Sequence, residues 1–445
     1  MSEKATKITI ITLLALVFFS AIGIVYYFLF GGSPTPGTIQ TSDSGIFPTA
    51  TPNQLAGQSG STGTSDGVVG GGRTSDGRTT QNPTDRNTTV GSGATVLNTR
   101  KLTENGATLP TFIKRQDPTT KTNTLFIRYE ERGMGHIYEL RADQSGSKKI
   151  SDTTLTKTYE TLWGQGGKTL IIRRVGDSGI IENIYGFIEE AFVGPTTVSS
   201  MIGSIAPVKM EGDIKAVAVS PDQAKFFYLN KVNGDVIGYT SDFTGTTLAT
   251  KKSQVFSSPV GSWNVSWPNA NIISLSTKPS GKIQGSVFFL NLKTQSFEKI
   301  LGGINGLTTL VSPDAKQILY TASSGNGIST YIYGVGTNTS TLLPIKTLTD
   351  KCVWSLSDPN LVYCAIPTEI ISGNYPDDWY QGRVSLTDEI WKIDVKTPRT
   401  ELVAAKNLFA KDGGTDVSGL ILSPDEEYLA FTNKRDSTPW LIKIK

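Results

Sequence analysis

The sequence predicts an all-β chain, a seven-bladed β-propeller preceded by one N-terminal transmembrane helix and a disordered linker. Three observations predict this arrangement: a long uncharged apolar run, a low-complexity stretch after it, and a repeat that recurs along the rest of the 445 residues. Glycine is abundant, with 46 residues, and many of the others are Thr, Ser and β-branched residues. This composition suits short strands joined by tight turns better than it suits helices.

The apolar run extends from Ile8 to Phe30 and contains no charged residue. A helix of this length, at about 1.5 Å per residue, crosses a hydrocarbon core roughly 30 Å thick. A cleaved signal peptide is the alternative, but the run exceeds an ordinary signal-peptide core and no A-x-A-like site follows it. Two lysines before the run outweigh Glu3, whereas residues 31–40 carry no charge. The positive-inside rule therefore predicts that residues 1–7 are cytoplasmic and that the chain after Phe30 lies outside the membrane.

Residues 31–93 form a low-complexity stretch of Gly, Ser, Thr, Pro, Asn and Gln in which acidic and basic charges nearly cancel. Such a segment has too little apolar surface to offset the entropy of ordering, so a flexible linker is predicted. A coil of this length has a root-mean-square span of roughly 40 to 50 Å. We therefore expect a tether between the membrane helix and a domain at residues 94–445.

Internal repetition is the observation that decides the fold of residues 94–445. Three copies of Ser-Pro-Asp, which begin at Ser220, Ser312 and Ser423, are each followed six residues later by an apolar strand core. Degenerate copies between them bring the number of units to seven. Pro presets φ at the first turn position and Asp bonds nearby backbone amides. We therefore predict turns between the first and second strands of a unit, and not catalytic aspartates.

A second repeat places an aliphatic residue directly before an aromatic one, at spacings of 45 to 58 residues. This spacing is inside or slightly above that of four-stranded propeller blades. We predict that the pairs pack between blades and do not form a ligand-stacking platform. They are Ile137-Tyr138, Ile184-Tyr185, Val287-Phe288, Ile332-Tyr333 and Ile390-Trp391, with Val236-Ile237 and Pro439-Trp440 as imperfect copies.

The last unit ends at Lys445 after its third strand and lacks an outer strand of its own. The segment from Ala94 to Asn98 parallels the outer strand of the preceding unit. We predict that it completes the seventh blade and closes the ring, which removes the exposed edges of an open sheet.

These repeats, Ser-Pro-Asp followed by an apolar strand and then an Ile-Tyr type strand, resemble the WD40-like (PD40) propeller repeat of the TolB family. The resemblance covers roughly residues 94–445. It implies a propeller that serves as a binding and scaffolding platform and not as an enzyme. The sequence departs from the family in having no separate globular domain before the propeller, where it carries the predicted anchor and tether instead. A membrane-anchored variant is expected.

Charge and residue usage limit the functional classes. Lys and Arg number 42 against 39 Asp and Glu, which is too small a surplus for nucleic-acid binding. His136 is the single histidine, which excludes multi-histidine metal sites, and it is predicted to be a solvent-facing strand residue. The adjacent carboxylates Asp377-Asp378 and Asp388-Glu389 point to opposite faces of an extended chain, a poor geometry for paired acid and base.

We therefore expect a protein without enzymatic activity or cofactor that binds an envelope protein or a glycan. A cell-surface hydrolase or lyase that uses the propeller face is the alternative. The sequence contains two cysteines, Cys352 and Cys364, at equal distance on either side of Asp358. If a turn is centred there, the two face each other across antiparallel strands at about 4.5 to 5.5 Å between Cα atoms. A disulfide is predicted, with two buried thiols as the alternative.

The candidate binding site is an insertion from Thr368 to Glu389, between the second and third strands of the sixth unit. Loops at this place in a blade project over the face opposite the Ser-Pro-Asp turns. The insertion contains Trp379 and Tyr380, and large aromatic side chains are common anchors of binding interfaces. If both rings face a partner and not the core, replacing them by alanine should change stability little. The alternative is that both rings fold back over the propeller channel or its rim. The residues predicted to bind are Asn374, Tyr375, Asp377, Asp378, Trp379 and Tyr380.

Overall fold

The structure is a computed structural model in which residues 99–116, 121–189, 203–245, 247–325 and 327–445 are described. The predicted membrane helix from Ile8 to Phe30, the linker at 31–93 and the strand from Ala94 to Asn98 lie outside these ranges. Among the described residues, no helix combines the length and the apolar character needed to cross a membrane.

The described residues form seven antiparallel sheets of four strands each, which confirms the predicted seven-bladed propeller. The first strands of neighbouring blades contact each other between blades 2 and 3, between blades 3 and 4, and between blades 6 and 7, which places these strands towards the central axis. Blade 1 contains β2 (Thr111–Gln116), β3 (Asn123–Glu130), β4 (Ile137–Arg141) and β5 (Lys148–Ser151). Blade 2 contains β6 (Thr158–Gly164), β7 (Thr169–Val175), β8 (Ile181–Glu189) and β9 (Ser204–Lys209). Blade 3 contains β10 (Asp213–Val219), β11 (Lys225–Val232), β12 (Asp235–Thr244) and β13 (Thr247–Ser258).

Blades 4 to 7 continue the same order. Blade 4 contains β14 (Trp263–Asn269), β15 (Ile272–Thr277), β16 (Gln284–Asn291) and β17 (Phe297–Asn305). Blade 5 contains β18 (Thr308–Val311), β19 (Gln317–Ser324), β20 (Gly327–Gly334) and β21 (Thr339–Leu342). Blade 6 contains β22 (Cys352–Trp354), β23 (Leu361–Pro367), β24 (Asp388–Asp394) and β25 (Arg399–Ala404). Blade 7 contains β26 (Val417–Leu422), β27 (Tyr428–Asn433), β28 (Pro439–Lys443) and, from the other end of the chain, β1 (Thr99–Lys101).

Strand β1 closes the ring. It pairs antiparallel with β28, with Thr99 opposite Ile442 and Lys101 opposite Trp440. The sequence predicted the closing strand at Ala94 to Asn98, and in the structure it begins at the next residue, Thr99. A strand from before the first blade supplies the outer edge of the last blade, so the ring is held by main-chain hydrogen bonds between the two ends of the propeller.

Apolar packing lies between the blades. The described residues form seven core clusters that each combine residues of two neighbouring blades, one cluster for every blade–blade interface. Ile137 of blade 1, for example, is fully buried against Trp163 and Leu170 of blade 2. Ile390 of blade 6 is fully buried in the cluster that contains Phe431 of blade 7. The aliphatic members of the repeated pairs thus pack between blades, as predicted.

The Ser-Pro-Asp segments form the turns between the first and second strands, as predicted. The hydroxyl of Ser220 donates to Oδ1 of Asp222 (2.6 Å) and accepts the backbone N–H of Lys225 (2.9 Å). Asp222 Oδ1 also accepts the N–H of Ala224 (3.1 Å). These bonds, with the one from Ser220 as the main cause, lower the pKa of the Asp222 carboxyl. The same three bonds recur at the turns that begin with Ser312 and Ser423.

The propeller has two faces, which we call the turn face and the insertion face. The turn face carries the Ser-Pro-Asp turns, and the insertion face carries the connections between second and third strands and those between blades. Arg100 of β1 donates to the carbonyls of Arg141 (3.0 Å) and Ala142 (2.8 Å), at the turn between the third and fourth strands of blade 1. The described chain therefore enters the propeller at the turn face.

A buried carboxylate joins blades 6 and 7 at the turn face. Oε1 of Glu426 accepts the hydroxyl of Ser355 (2.7 Å) and the N–H groups of Leu356 (2.7 Å) and Ser357 (2.8 Å). Burial opposes ionisation of Glu426, but the hydrogen bonds from these residues outweigh it and lower the pKa of the carboxyl. This carboxylate therefore caps a turn of the neighbouring blade.

The predicted disulfide is present. Cys352 of β22 lies directly opposite Cys364 of β23, with the Cα atoms 4.1 Å apart and the sulfur atoms 2.09 Å apart. Both residues are buried in the cluster between blades 5 and 6. The bond closes the first hairpin of blade 6.

Candidate functional site on the insertion face

The insertion of blade 6 connects Pro367 at the end of β23 with Asp388 at the start of β24. It comprises residues 368–387, so the last two residues of the predicted segment belong to the following strand. Its centre is a one-turn helix, α1 (Asp377–Tyr380). Oδ2 of Asp378 accepts the backbone N–H of Asn374 (2.7 Å), which fixes the approach to the helix.

Two aromatic residues of the insertion that were predicted to bind a partner are buried against the propeller. Tyr375 is 1% exposed and Trp379 is 2% exposed, in a cluster with Ile328, Leu348, Val384 and Leu386. Neither ring is the exposed interface anchor that was expected. The burial of Trp379 argues against the expectation that replacing Trp379 and Tyr380 by alanine changes stability little. The arrangement fits the alternative in which the loop folds back over the rim, because covering a large ring stabilises the folded state in proportion to its apolar area.

Tyr380 is half-buried and faces the connection between blades 5 and 6. Its hydroxyl donates to both carboxylate oxygens of Asp350 (3.1 and 3.0 Å). Desolvation and the adjacent Asp350 carboxylate raise the pKa of the Tyr380 phenol well above its usual value. Tyr380 is therefore a neutral donor at physiological pH.

Polar contacts attach the insertion to neighbouring blades. Oδ2 of Asp377 accepts the backbone N–H of Gly281 in blade 4 (2.6 Å), and the Ser323 hydroxyl of blade 5 donates to the carbonyl of Tyr375 (2.5 Å). A Cβ atom at Gly281 would collide with the Tyr375 carbonyl, so glycine permits this close approach. Nε1 of Trp379 donates to Asp416 at the start of blade 7 (2.9 Å). The loop thus braces blades 4 to 7.

A buried lysine with two carboxylates lies under the insertion. Nζ of Lys351 is 2.7 Å from Oδ2 of Asp388, 2.5 Å from Oδ1 of Asp416 and 3.0 Å from the carbonyl of Val417. All three charged residues are 0–1% exposed. The Lys351 ammonium also lies 4.9 Å from the centre of the Trp379 ring. Desolvation raises the pKa of Asp388 in spite of its lysine partner.

Asp377 and Asp378 lie in helix α1 and not in an extended segment, and both have structural partners. Asp378 pairs through Oδ1 with Arg383 (2.7 Å), whereas Asp377 bonds the Gly281 amide. Asp388 is buried and Glu389 is half-buried, so the two diverge as expected for neighbours in a strand. His136 directly precedes β4 and is half-buried, so it is not the solvent-facing strand residue that was predicted. Its carbonyl accepts the N–H of Glu131 (2.9 Å). No group of three or more potential metal ligands occurs within the described ranges.

Sequence reasoning missed a second buried acid on the same face, between blades 1 and 2. Glu130 at the end of β3 is fully buried, and its Oε2 accepts the hydroxyl of Thr161. Its Oε1 has no hydrogen-bond partner among the described residues. Burial raises the pKa of Glu130 to about 8, against an ordinary value of 4.5. The adjacent Arg132 donates to Ser437 of blade 7 (2.9 Å) and to the Tyr159 carbonyl (3.2 Å).

No protein-family model and no curated protein matches the sequence. Solved structures do match. Oligogalacturonate lyase of Vibrio parahaemolyticus has a TM-score of 0.46 at 7% identity, covering 77% of this chain and 99% of the lyase. The β-propeller domain of the trilobed protease of Pyrococcus furiosus has a TM-score of 0.44 at 11% identity, covering 76% and 95%. TolB of Acinetobacter baumannii has a TM-score of 0.36 at 12% identity, covering 75% and 79%. TolB is among the structures similar to this chain, and the likeness concerns the fold alone.

The burial of Trp379 predicts a structural role. Trp379→Ala should lower the free energy of unfolding by about 3 to 5 kcal/mol, because it removes a buried ring and the donor to Asp416. Arg383→Ala, at an exposed position of the same loop, should cost less than about 1 kcal/mol. Denaturant titration of both variants measures the difference. A small and equal effect of the two changes would show that the insertion is not part of the folded core.

Glu130 predicts a pH-dependent stability. The pKa of Glu130 is about 8 in the folded protein, against an ordinary value of 4.5. Between pH 4.5 and about 8, the folded state therefore holds a proton that the unfolded chain releases. Stability should therefore fall as pH rises through this window, by up to about 1.4 kcal/mol per unit. Glu130→Gln, which stays neutral, should remove this slope, whereas the exposed control Glu104→Gln should retain it. Unfolding curves at several pH values test this, and parallel profiles for Glu130→Gln and the unmodified protein would contradict it.

Proposed function

We propose that this protein is a binding and scaffolding module of the cell envelope, tethered to the cytoplasmic membrane through the segment from Ile8 to Phe30 with its propeller outside. It acts without catalysis or cofactor, and the insertion face is its docking platform. The observation that carries this proposal is the brace formed by the insertion, which turns one face of a closed ring into a fixed surface. Preorganised surfaces of this kind lose little entropy on binding.

The distribution of exposed apolar side chains supports docking on the insertion face. Of the twelve large hydrophobic residues that are exposed in the described ranges, seven lie in loops of this face or at the ends of second strands there. Two lie at the turn face, Leu356 and Phe297, the first residue of β17. Exposed apolar side chains on one face are groups that a docking partner can remove from water. The seven on the insertion face are Met134, Val175, Ile180, Val232, Val260, Ile283 and Ile371.

The chemistry of this surface favours a protein over a glycan as the partner. All seven residues are aliphatic or methionine, whereas the aromatic rings suited to stacking on sugars, Tyr375 and Trp379, are buried. The first described residue, Thr99, lies at the turn face, opposite the insertion face. The alternative of a hydrolase or lyase has less support, since Asp377 and Asp378 are engaged in holding the loop.

Docking is tested at Ile283 and Ile371, which are 64% and 46% exposed. A photo-crosslinking residue at Ile283 in the native cell should yield a defined adduct with an envelope protein, and Ile371→Asp should weaken that interaction about tenfold or more. The matched control is Leu356, which is 58% exposed on the opposite face. A crosslinker there should give no adduct, and Leu356→Asp should leave binding unchanged. Equal labelling from both faces, or retention on cell-wall glycan without a protein adduct, would overturn the proposal of a protein partner.

The membrane topology is tested separately. A protease added to intact spheroplasts should release the propeller by cutting within residues 31–93, since these residues are expected outside the membrane. A cytoplasmic protein serves as the control for intact cells. Protection of the whole chain until the membrane is broken would contradict the outward orientation.

A further inference from the structure

The ammonium group of Lys351 is held out of solvent in direct contact with two carboxylates. Its Nζ lies 2.5 Å from Oδ1 of Asp416, and the carboxyl carbon is one covalent bond farther. Bonds form between groups that are held with their reacting atoms about 3 to 3.5 Å apart. The contact with Oδ1 keeps the Lys351 amine beside the Asp416 carboxyl group. We propose that Lys351 and Asp416 condense to an intramolecular amide, an isopeptide bond, with Asp388 as the proton-transferring residue. The bond joins the start of blade 6 to the start of blade 7.

Two donors prepare Asp416 for attack. Nε1 of Trp379 donates to its Oδ1 (2.9 Å), and the backbone N–H of Leu386 donates to its Oδ2 (3.1 Å). Fixed donors of this kind, in a site shielded from bulk solvent, stabilise the negative charge that develops on oxygen in a tetrahedral intermediate. Both belong to the insertion or its immediate continuation, so closure of the loop completes the site.

Asp388 is placed to move the protons. Its Oδ2 accepts from Lys351 (2.7 Å) and from the N–H of Val417 (2.7 Å). Its Oδ1 is buried and has no partner among the described residues, which leaves it open to a proton. Desolvation raises the pKa of Asp388, which brings it closer to the range useful for general acid–base catalysis.

The step balances without another reactant. Asp388 accepts a proton from the Lys351 ammonium, and the freed Nζ lone pair forms a bond to the Asp416 carboxyl carbon. Asp388 then delivers protons to Oδ1, whose bond to carbon breaks, while Oδ2 remains as the amide oxygen. Nζ loses two of its three protons, and these leave with Oδ1 as one molecule of water. Asp388 ends as it began, and the two opposite charges become one neutral amide.

Burial favours this product. A lysine and a carboxylate kept out of water carry a desolvation penalty, which a neutral amide largely avoids. The ion pairs of Lys209 and Lys225 are not buried in this way. The Lys209 side chain beside Glu182 is 68% exposed, and that of Lys225 beside Asp242 is 54% exposed. There the charged forms stay hydrated and the condensation has no driving force.

Peptide mapping of the full chain, purified from its membrane and reduced, tests the bond. Trypsin does not cleave after an acylated lysine, so digestion should yield a branched peptide in which residues 347–383 are joined to 412–434. Its mass should be lower than the sum of the two parts by one water molecule. Normal cleavage after Lys351 in protein that is folded by circular dichroism would overturn the proposal.

Two variants assign the roles. Asp388→Asn preserves the shape of the side chain but removes the proton acceptor, and Lys351→Arg preserves the charge but removes the amine; both should give the linear peptide around Asp416. Water loss in Asp388→Asn equal to that of the unmodified protein would refute the role of Asp388. The buried pair of Arg128 and Glu139 is an internal control and should remain unlinked, since guanidinium is a poor nucleophile. If either variant fails to fold, the map of the unmodified chain still decides whether the bond exists.

Discussion

Burial of apolar side chains between neighbouring blades is the constraint on which the rest of this structure depends. Each of the seven clusters takes its residues from two neighbouring blades. The apolar side chains on each side of a blade are therefore buried only when a neighbouring blade packs against them. A row of blades that did not close would expose one face at each end. Closure by β1 is therefore a requirement of the packing and not an accessory to it.

The conformation of the insertion also depends on the burial of apolar side chains. A loop of twenty residues has backbone groups and aromatic rings that need partners, and the ring offers those at the ends of blades 4, 5 and 7. Tyr375 and Trp379 fill apolar space there, while Asp377 and the Tyr375 carbonyl find donors in other blades. The side chains of Tyr375 and Trp379 are therefore as deeply buried as those of the core strands. Its solvent-facing residues, such as Ile371, are consequently held in place and available to another molecule.

Much of the fold could be predicted because its determinants are local in sequence. A Ser-Pro-Asp turn forms its hydrogen bonds within five residues, as Ser220 and Lys225 show, and the Cys352–Cys364 register depends on one short hairpin. The candidate site was harder, because its contacts join distant residues. Lys351 meets Asp388 and Asp416 across 37 and 65 positions, and no pattern near Lys351 indicates either partner. For the same reason the burial of Trp379 could not be predicted from its own neighbours in sequence. Glu130 likewise lies in an ordinary strand, and its raised pKa arises from the blade packed against it.

The entry of the chain at the turn face has a mechanical consequence. Tension that reaches the propeller through the residues before Thr99, while a partner holds the insertion face, acts along β1 and not across it. The hydrogen bonds between β1 and β28 are then loaded together in shear, and no single pair has to yield first. The disulfide offers no help against such a load, because it lies within one hairpin and spans only 12 positions. Resistance to such a load depends on the main-chain hydrogen bonds of a strand of three residues and on the packing of blade 7 against blades 6 and 1.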